Sequence, residues 1–346
     1  MVEANTYLQP RVYINNNEIL DEISGSVTFT GNNQVNSLKL KISNPDIQHH
    51  SLMDKNVKLY LNNGSIDSAP FFSGIITQIK PDASMTNITA MDPRILISGK
   101  NGHIVELTDN QNYDGYTLGA FLYSFISNKV NNNETRLGLD MLTDTYPTVS
   151  MTGQRQSQSV YGLAKKILKT AVDDDDFLNP LPYFFDIIEH YDAPQLVIKK
   201  DKLLSSTPAM TFSYADGLQG YSFTRRTPVN TATYTDGTFQ YTNRPTGDVV
   251  TSIKVGKKTK LSRAELRNVA IQQVLLEQQR KDEIKITVSK GHDIGIGSII
   301  RLNVPDDDIS GNHRVVGKTI AFGKRVTCSL KLNKNAPQIR DYLQKS

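Results

Sequence analysis

The sequence predicts a mainly β fold in which two small antiparallel β-barrels flank an α+β insertion domain. Apolar and polar residues alternate with a period of two through most of the first hundred residues, which is typical of strands with one face on a core. A helical period replaces this alternation after about residue 103, and the period of two returns after about residue 183. A length of 346 residues is consistent with about two to three domains of ordinary size.

The first barrel, or a sandwich of similar size, is predicted over residues 1–102. A strand at Phe72–Ile79 and another through Ile88 flank a turn at Pro81-Asp82. Because no helical stripe separates these short strands, they favour one small antiparallel unit. Three earlier alternating segments lie between turns rich in Gly, Asn and Pro: Val27–Phe29, Leu38–Ile42 and Val57–Leu61.

Residues 103–182 are predicted to form the insertion, which contains two amphipathic helices. Within Tyr116–Ile126, one helical face carries Leu118, Phe121, Leu122, Phe125 and Ile126. Within Val160–Val172, a second stripe groups Leu163, Ile167 and Leu168, with Ser157 or Ser159 as the N-cap. Residues 226–261 are a further candidate part of this insertion.

The second barrel is predicted over residues 183–225 and 262–335, before a polar tail at 336–346. Asp236-Gly237 predicts a two-residue hairpin within Tyr234–Phe239. Ser262 to Glu265 forms a capping box that opens a helix with Leu266, Val269, Ala270 and Val274 on one face. The predicted strands are Phe184–Ile188, Leu196–Ile198, Ile284–Val288, Ile299–Leu302, Arg314–Val316 and Thr327–Leu332.

Composition excludes several classes of protein. The single cysteine, Cys328, excludes an internal disulfide framework and any multi-cysteine metal site. The N-terminal Met1–Asn5 segment lacks the features of a signal peptide, and no apolar stretch reaches the length of a membrane span. Hydrophobic residues make up 38% of the chain, which argues against a wholly disordered protein. We therefore expect intracellular synthesis and no membrane span.

Charge divides the chain into three unlike stretches. Residues 1–100 carry 8 basic and 9 acidic side chains, residues 101–195 carry 6 and 13, and residues 196–346 carry 25 and 13. The net charges are therefore −1, −7 and +12. The basic stretch lacks aromatic interleaving and a readout motif, so we expect no specific nucleic-acid recognition. A basic face that meets an acidic neighbour, or simple solubility, also explains the positive charge. The candidate charges for such a contact are Lys254–Lys258 and Asp173–Asp176, and a solvated loop is the alternative for each.

The histidines and acidic runs do not form a recognisable metal site. His49 and His50 are adjacent, as suits a turn, while the other four histidines are isolated and no His-Glu-x-x-His motif occurs. Asp173–Asp176 lacks the alternating ligands, glycine and distal glutamate of an EF-hand. Asp306–Asp308 suits a charged hairpin tip. We predict no metal site.

Gly291–Gly297 superficially resembles a phosphate-binding loop. It lacks the Lys-Ser/Thr pair and lies between predicted strands, without the helix N-terminus that would hold a phosphate. No Gly-x-Ser-x-Gly elbow or spaced Ser/His/Asp set is present. We therefore predict no catalytic residues and no cofactor, and we expect that the protein is not an enzyme.

Five elements follow one another between Ser262 and Leu332. They are the helix Arg263–Arg280, the strand Ile284–Ser289, a Gly–loop–Gly element followed by an aliphatic strand at Gly291–Leu302, the Gly-x-polar-x-Val segment at Gly311–Val316, and a final hairpin strand at Val326–Leu332. In this order they resemble the C-terminal half of the phage baseplate hub proteins, also called the late control protein D family. Three earlier segments are similar to that family's first barrel and insertion: Phe72–Ile76, Asp92–Leu96 and Tyr116–Ser127.

The resemblance implies a structural role in a contractile tail. Such hubs hold two barrels related to tail-tube subunits, and a homotrimer makes a ring of six barrels with pseudo-six-fold symmetry. The tail tube protein would lie above the ring and a separate central spike protein below it, with the tape measure and baseplate wedge proteins as further partners. The implied location is the tail baseplate of the virion, after synthesis in the host cytoplasm. Tailocin or type VI-like particles have an equivalent hub.

Two other functions stay open at this point. One is a carbohydrate- or receptor-binding tail protein, for which a cluster of exposed aromatic residues is expected, although the chain has no tryptophan. The other is a peptidoglycan-degrading tail enzyme, for which no acid/base pair is identifiable in the sequence.

Overall fold

The computed structural model describes residues 10–31, 35–43, 49–61, 68–97, 104–107, 116–117, 119–120, 123, 137–139, 156–159, 161–162, 183–200, 206–225, 231–235, 240–243, 252–256, 282–304, 309–323 and 325–332. Strands dominate these ranges, so the predicted mainly β fold is confirmed. Two short helices lie wholly within these ranges, α1 (His49–Leu52) and a 3-10 helix at Pro93–Ile97. None of the helices in these ranges is long and apolar enough to cross a membrane.

Seven strands lie in the N-terminal region: β1 (Arg11–Ile14), β2 (Asn17–Ile19), β3 (Ile23–Thr30), β4 (Ser37–Ile42), β5 (Asn56–Tyr60), β6 (Phe72–Pro81) and β7 (Thr86–Met91). The β1–β2 hairpin was not predicted from the sequence. Its two turn residues, Asn15 and Asn16, have φ angles of 51° and 65°. Asparagine tolerates this left-handed conformation, which the tight hairpin requires.

Nine strands follow in the middle of the chain: β8 (Ile104–Leu107), β9 (Gln156–Ser159), β10 (Tyr183–Ile188), β11 (Gln195–Lys200), β12 (Met210–Phe212), β13 (Leu218–Arg225), β14 (Thr231–Thr235), β15 (Gln240–Asn243) and β16 (Ser252–Gly256). β8 pairs with β9, β10 pairs with β11, and β14 lies between β15 and β16. The predicted hairpin at Asp236-Gly237 is confirmed as a hairpin, but its two-residue turn is wrong. Thr235 pairs with Gln240, which leaves four residues between the strands.

Four strands complete the chain: β17 (Asp282–Val288), β18 (Ile299–Leu302), β19 (Gly311–Phe322) and β20 (Thr327–Leu332). These strands, the N-terminal strands, and β12 and β13 from the middle of the chain form one 13-stranded sheet. Its order is β13-β17-β20-β19-β3-β4-β7-β6-β5-β1-β2, with β18 beside β19 and β12 beside β18. Within the described residues this order does not return on itself, so closed barrels are not seen.

The same order of strand pairing occurs twice in the sheet. Strands β1, β3, β4, β5, β6 and β7 correspond in chain order to β12, β13, β17, β18, β19 and β20. In each set the second strand pairs with the third, the third with the sixth, the sixth with the fifth, the fifth with the fourth and the fourth with the first. The one difference in direction is that β1 is antiparallel to β5 whereas β12 is parallel to β18.

The correspondence extends to individual residues. β6 has a bulge between Ile76 and Gln78, and β19 has one between Val315 and Gly317. Pairing with the preceding strand ends just before each bulge, whereas pairing with the following strand runs through it. A bulge places an extra residue in one strand and bends it. Beyond the bulge, each strand keeps the following strand of its own set as a partner.

The glycine-rich loop before β18 has a counterpart before β5. The Gly297 amide donates to the Val315 carbonyl at 2.8 Å, and the Asp54 amide donates to the Ile76 carbonyl at 3.1 Å. Gly297 and Asp54 have φ angles of 82° and 60°. The Gly291–Gly297 segment is therefore a turn between strands, as the sequence predicted, because only a left-handed residue brings the amide back to the bulged strand.

Alternating residues of the two sets of strands form the core. β4 follows this pattern, with Leu38, Leu40 and Ile42 buried and the intervening lysines exposed. The aliphatic residues of β17, β18 and β20 are buried in the same way. The period of two in the sequence therefore marked the core-facing residues correctly. The predicted helices at Tyr116–Ile126, Val160–Val172 and Arg263–Arg280 lie largely or wholly outside the described residues.

Replacing Gly25 by alanine is expected to lower the free energy of unfolding by about 2 kcal/mol. A Cβ at this position in β3 would overlap the Lys39 carbonyl oxygen and lie 3.0 Å from the Phe322 ring. The control is Gly220→Ala in β13, where an added Cβ meets no atom within 4 Å. Urea unfolding of both variants checks the difference, and equal stabilities would contradict the close approach at Gly25.

Candidate functional site

The pairing of β3 with β19 joins two regions that are far apart in the sequence, with 291 positions between Thr28 and Thr319. Six residue pairs form this antiparallel ladder, from Gly317 opposite Thr30 to Phe322 opposite Gly25. The hydroxyls of Thr28 and Thr319 lie 3.5 Å apart across it. We call this ladder, with the side chains on it, the strand junction. It is the only strand pairing between the two sets of strands in the described part of the sheet.

Lys318 is a buried cation at the strand junction. Its Nζ donates to the His292 carbonyl at 2.9 Å and lies 4.6 Å from the ring centroid of Phe29 and 5.4 Å from that of Phe71. Burial lowers the pKa of this ammonium group from its ordinary value. The aromatic faces and the carbonyl replace part of the water that the charge has lost. Lys318 therefore contacts the loop before β18 through His292 and the N-terminal region through Phe29 and Phe71.

Asp92 and Arg94 form a buried ion pair at the end of β7. Arg94 Nη2 donates to Asp92 Oδ2 at 2.5 Å and Arg94 Nε donates to Oδ1 at 3.0 Å, and each side chain is only 1% exposed. Burial on its own lowers the pKa of Arg94, but Asp92 outweighs this effect and the net pKa is raised. The Arg94 guanidinium therefore keeps its charge in this buried place because Asp92 lies beside it.

Further hydrogen bonds connect this ion pair with the strand junction and with the β10–β11 hairpin. Asp92 Oδ2 accepts from the Asn36 amide at 2.6 Å, and Asn36 Oδ1 accepts from the Thr30 amide at 3.0 Å. On the other side, Arg94 Nη1 donates to the Phe185 carbonyl at 3.1 Å. The polar chain thus runs from β3 through β7 to β10 and fixes where the hairpin lies.

Tyr161 belongs to the same buried cluster. Its ring stacks on Phe185 with 6.1 Å between centroids. Burial raises the pKa of Tyr161 to about 12. Its hydroxyl is therefore neutral at ordinary pH, and the ring adds apolar contact where the hairpin meets the ion pair.

Glu189 makes a second connection between the hairpin and the sheet. Its Oε1 accepts from the Ser73 amide in β6 at 2.8 Å. Glu189 Oε2 and Ser73 Oγ are buried and have no hydrogen-bond partner among the described residues. The residue as a whole is partly exposed, but its carboxyl group is buried, and this burial raises its pKa to about 7. The contact is therefore sensitive to pH near neutrality.

The structure describes only some of the residues that were weighed as metal or ligand sites from the sequence. Buried His313 has Nε2 2.6 Å from the Ile309 carbonyl, and His49 and His50 begin α1 where a turn was expected. Lys254–Gly256 lies in β16, whereas Lys257, Lys258, Asp173–Asp176 and Asp306–Asp308 lie outside the described residues. Within the ranges the structure describes, no three His, Cys, Asp or Glu residues are grouped as metal ligands would be.

Sequence reasoning missed the polar residues that organise the strand junction. Asp92 and Arg94 were noted only as part of the family resemblance, while Glu189 and Lys318 were not singled out. The Asp-Pro-Arg sequence was a usable signal for the first pair, because an aspartate two residues before an arginine can bind both its backbone and its side chain. Lys318 carried no such signal.

Comparison with known proteins gives matches at the level of structure. No protein-family model matches the sequence, and no curated protein matches it. The tail protein from Neisseria meningitidis has a TM-score of 0.65 and 12% identity, covering 97% of this chain and 99% of that chain. The 43 kDa tail protein of prophage MuSo2 from Shewanella oneidensis has a TM-score of 0.64 and 9% identity, covering 94% and 97%.

A third similar structure comes from a secretion system. The E. coli c3393 protein, a component of the type VI secretion system that is similar in structure to the T4 tail proteins gp27 and gp5, has a TM-score of 0.55 and 8% identity. The match covers 94% of this chain and 77% of that chain. These likenesses show that the chain has the fold of phage tail proteins. The resemblance inferred from the sequence is thereby confirmed at the level of the fold.

Replacing Arg94 by methionine is expected to lower the free energy of unfolding by about 3 to 5 kcal/mol, because the carboxylate of Asp92 would stay buried without its counter-charge. The matched control is Arg11→Met, which removes the half-exposed pair with Glu18 and is expected to have a much smaller effect, because an exposed ion pair contributes little to stability. Urea unfolding gives both values. The double variant Asp92→Asn/Arg94→Met should recover part of the loss, and a single variant as stable as the control would contradict the role of the pair.

Replacing Glu189 by glutamine is expected to remove a pH-dependent loss of stability. The ordinary pKa of 4.5 rises to about 7 in the folded chain, so the native state binds more protons than the unfolded state between these values. Stability therefore falls as the pH rises through this window, by up to about 3 kcal/mol, and the loss is complete above it.

Chemical unfolding at about pH 5 and about pH 8 measures this difference. The Glu189→Gln variant should lose less stability between the two conditions than the parent. Glu18→Gln is the control, because Arg11 lowers the pKa of Glu18 and removing that carboxyl should not produce the same change. An unaltered pH profile in Glu189→Gln would show that the Glu189 carboxyl is not buried in the folded chain.

Proposed function

We propose that the protein is a structural baseplate hub subunit of a phage tail or a related injection particle. In this proposal three copies form a ring of six tube-like units, which joins the tail tube above to the central spike below. The repeated order of strand pairing carries the proposal, because it gives one chain two similar units in one sheet. Three such chains would present six similar units to a six-fold symmetric tube and three identical chains to a three-fold symmetric spike.

The fold supports this proposal and agrees with a role that is not enzymatic. The similar proteins named above are described as tail proteins or as similar to tail proteins. The unit boundaries of 1–102 and of 183–225 with 262–335, and the insertion at 103–182, belong to the proposal. So do the tail tube, spike, tape measure and wedge proteins as partners, the location in the virion baseplate and the lack of specific nucleic-acid recognition.

Charge gives the proposed ring a further property. The middle stretch carries a net charge of −7 and the C-terminal stretch a net charge of +12. If neighbouring copies bring these stretches together, the attraction contributes orientation and association rate more than affinity. Salt weakens such contacts, since the Debye length falls from about 10 Å at 0.1 M to about 3 Å at 1 M.

Sedimentation velocity at about 0.05 M and about 0.5 M salt tests the proposed assembly. We expect a species of three times the 38.6 kDa mass of one chain at low salt, with weaker association at high salt. Negative-stain images of the same sample should show closed rings. A monomer at every concentration and salt would contradict a ring that forms without other proteins.

Two assays separate the proposal from the alternatives. Release of soluble fragments from purified peptidoglycan would support a degrading enzyme instead. Specific binding on a glycan array would support a carbohydrate- or receptor-binding tail protein. The hub proposal expects neither result, and it expects the chain to co-purify with tail tube and spike proteins from assembled particles.

A further inference from the structure

The repeat leaves two strand edges without the partner that their counterparts have. β19 corresponds to β6, and β3 corresponds to β13. After its bulge, β19 lies between β20 and β3, whereas β7 is the one described strand that pairs with β6 after its bulge. In the same way β3 lies between β19 and β4, whereas β17 is the one described strand that pairs with β13. These two edges are open to a further strand in the described part of the sheet.

Side chains after the bulge are more exposed in β6 than in β19, as expected when a neighbouring strand is missing. After the bulge in β19, Lys318 is 6% exposed and Ile320 is fully buried. Their counterparts by register in β6 are Ile79, which is half-buried, and Pro81, which is exposed. The β3 strand covers the first two residues. No described strand covers the second two.

The β13 edge carries a large apolar residue that is incompletely covered. Phe223 lies opposite Ile284 in β17, as Val27 lies opposite Leu38 in β4. Val27 is fully buried beside Ile320 at the strand junction, whereas Phe223 is 40% exposed. Because Ile284 is buried, Phe223 lies on the core-facing side at the margin of the sheet. A strand placed beside β13 would cover it.

We propose that β6 of one copy pairs with β13 of the next copy in an antiparallel ladder that repeats the strand junction. The register follows from the internal pairs. Thr319 opposite Thr28 places Lys80 opposite Thr224, and Ile320 opposite Val27 places Pro81 opposite Phe223. The number of copies in the assembly rests on the proposed function, whereas the identity of the two edges rests on the repeat.

The residues on the two edges suit a short and specific ladder. An exposed strand edge can bind an extended segment of a partner through main-chain hydrogen bonds. Pro81 has no N–H and Lys80 is charged, and both features restrict unwanted pairing at an edge. The ladder between copies therefore ends at Pro81, where the proline ring lies opposite Phe223.

The two edges are different surfaces, so each contact is head to tail. Such a contact closes into a ring when the rotation between copies permits, and otherwise continues as a filament. Both edges belong to every copy, so one copy can bind a neighbour on each side at once. The inference thus names the surfaces that a ring of identical copies would use.

A pair of cysteines at Lys80 and Thr224 tests the proposed register. The full-length variant Lys80→Cys/Thr224→Cys should, after mild oxidation, form disulfides between copies that appear as dimers and trimers on a non-reducing gel. Peptide mass spectrometry should locate the bond between the two new cysteines, and reduction should restore monomers.

Matched variants control for chance reaction. Thr28→Cys/Thr319→Cys places the same pair at the internal junction, where the hydroxyls are 3.5 Å apart, and should give a disulfide within one chain. Ile79→Cys/Thr224→Cys shifts the register by one residue and should react at least tenfold more slowly, because neighbouring side chains in a strand face opposite sides. The native Cys328 is buried. The variants Lys80→Cys and Thr224→Cys, each with one added cysteine, show whether Cys328 takes part in a disulfide.

A second experiment needs no cysteine. Phe223→Lys should weaken association at least tenfold in sedimentation velocity, because it places a charge where the neighbouring copy would cover an apolar ring. Tyr191→Lys is the control, since Tyr191 is an aromatic residue with 49% exposure in the turn between β10 and β11. Circular dichroism should show both variants folded.

The outcomes separate this inference from the proposed function. Closed trimers linked through residues 80 and 224 would support both. Closed trimers without that disulfide, unaffected by Phe223→Lys, would overturn the assignment of the edges and leave the hub proposal in place. Open chains of many lengths linked through the two residues would support the edges and overturn the ring. A chain that stays monomeric and forms no such disulfide would overturn the inference.

Discussion

The antiparallel ladder between β3 and β19 is the constraint on which the rest of the sheet depends. It forms between residues 25–30 and 317–322, so the chain must close a very long loop before these hydrogen bonds can stabilise the fold. The entropy cost of closing such a loop rises only slowly with its length, so the long intervening segment is tolerated. Once the ladder exists, the two sets of strands are held in one register. The buried Lys318, between His292 and two aromatic rings, stabilises that register.

Polar residues extend this order to the β10–β11 hairpin. The path from Thr30 through Asn36, Asp92 and Arg94 to Phe185 is composed of buried or partly buried groups, each with a partner. A buried ion pair of this kind contributes less net stability than its geometry suggests, because both charges lose their water. Its stronger effect is on position, since any other placement of the hairpin would leave a charge or a carbonyl without its partner.

The sequence predicted the strands that alternate cleanly and missed those that do not. Leu38–Ile42 and Thr327–Leu332 were identified because one face is apolar and the other polar. The β1–β2 hairpin and β12 were missed because they are too short to show a period. Bulges at Thr77 and Val316 are also invisible to the pattern, and the second of these shifts the face on which Lys318 lies. The candidate interaction surface therefore could not be predicted, because it depends on which strands become neighbours.

The β6 and β19 strands share one pattern of pairing around a bulge, so the proposed contact between copies would repeat the contact that β19 makes within the chain. Within the chain the junction forms without loss of translational freedom, and six residue pairs complete it. Between copies a shorter ladder that ends at Pro81 must offset about 4 to 15 kcal/mol of lost translational and rotational freedom. The proposed contact between copies is therefore the weaker of the two, and it depends on concentration. An intrachain junction that is always formed, together with an interchain junction that forms on assembly, would suit the proposed ring.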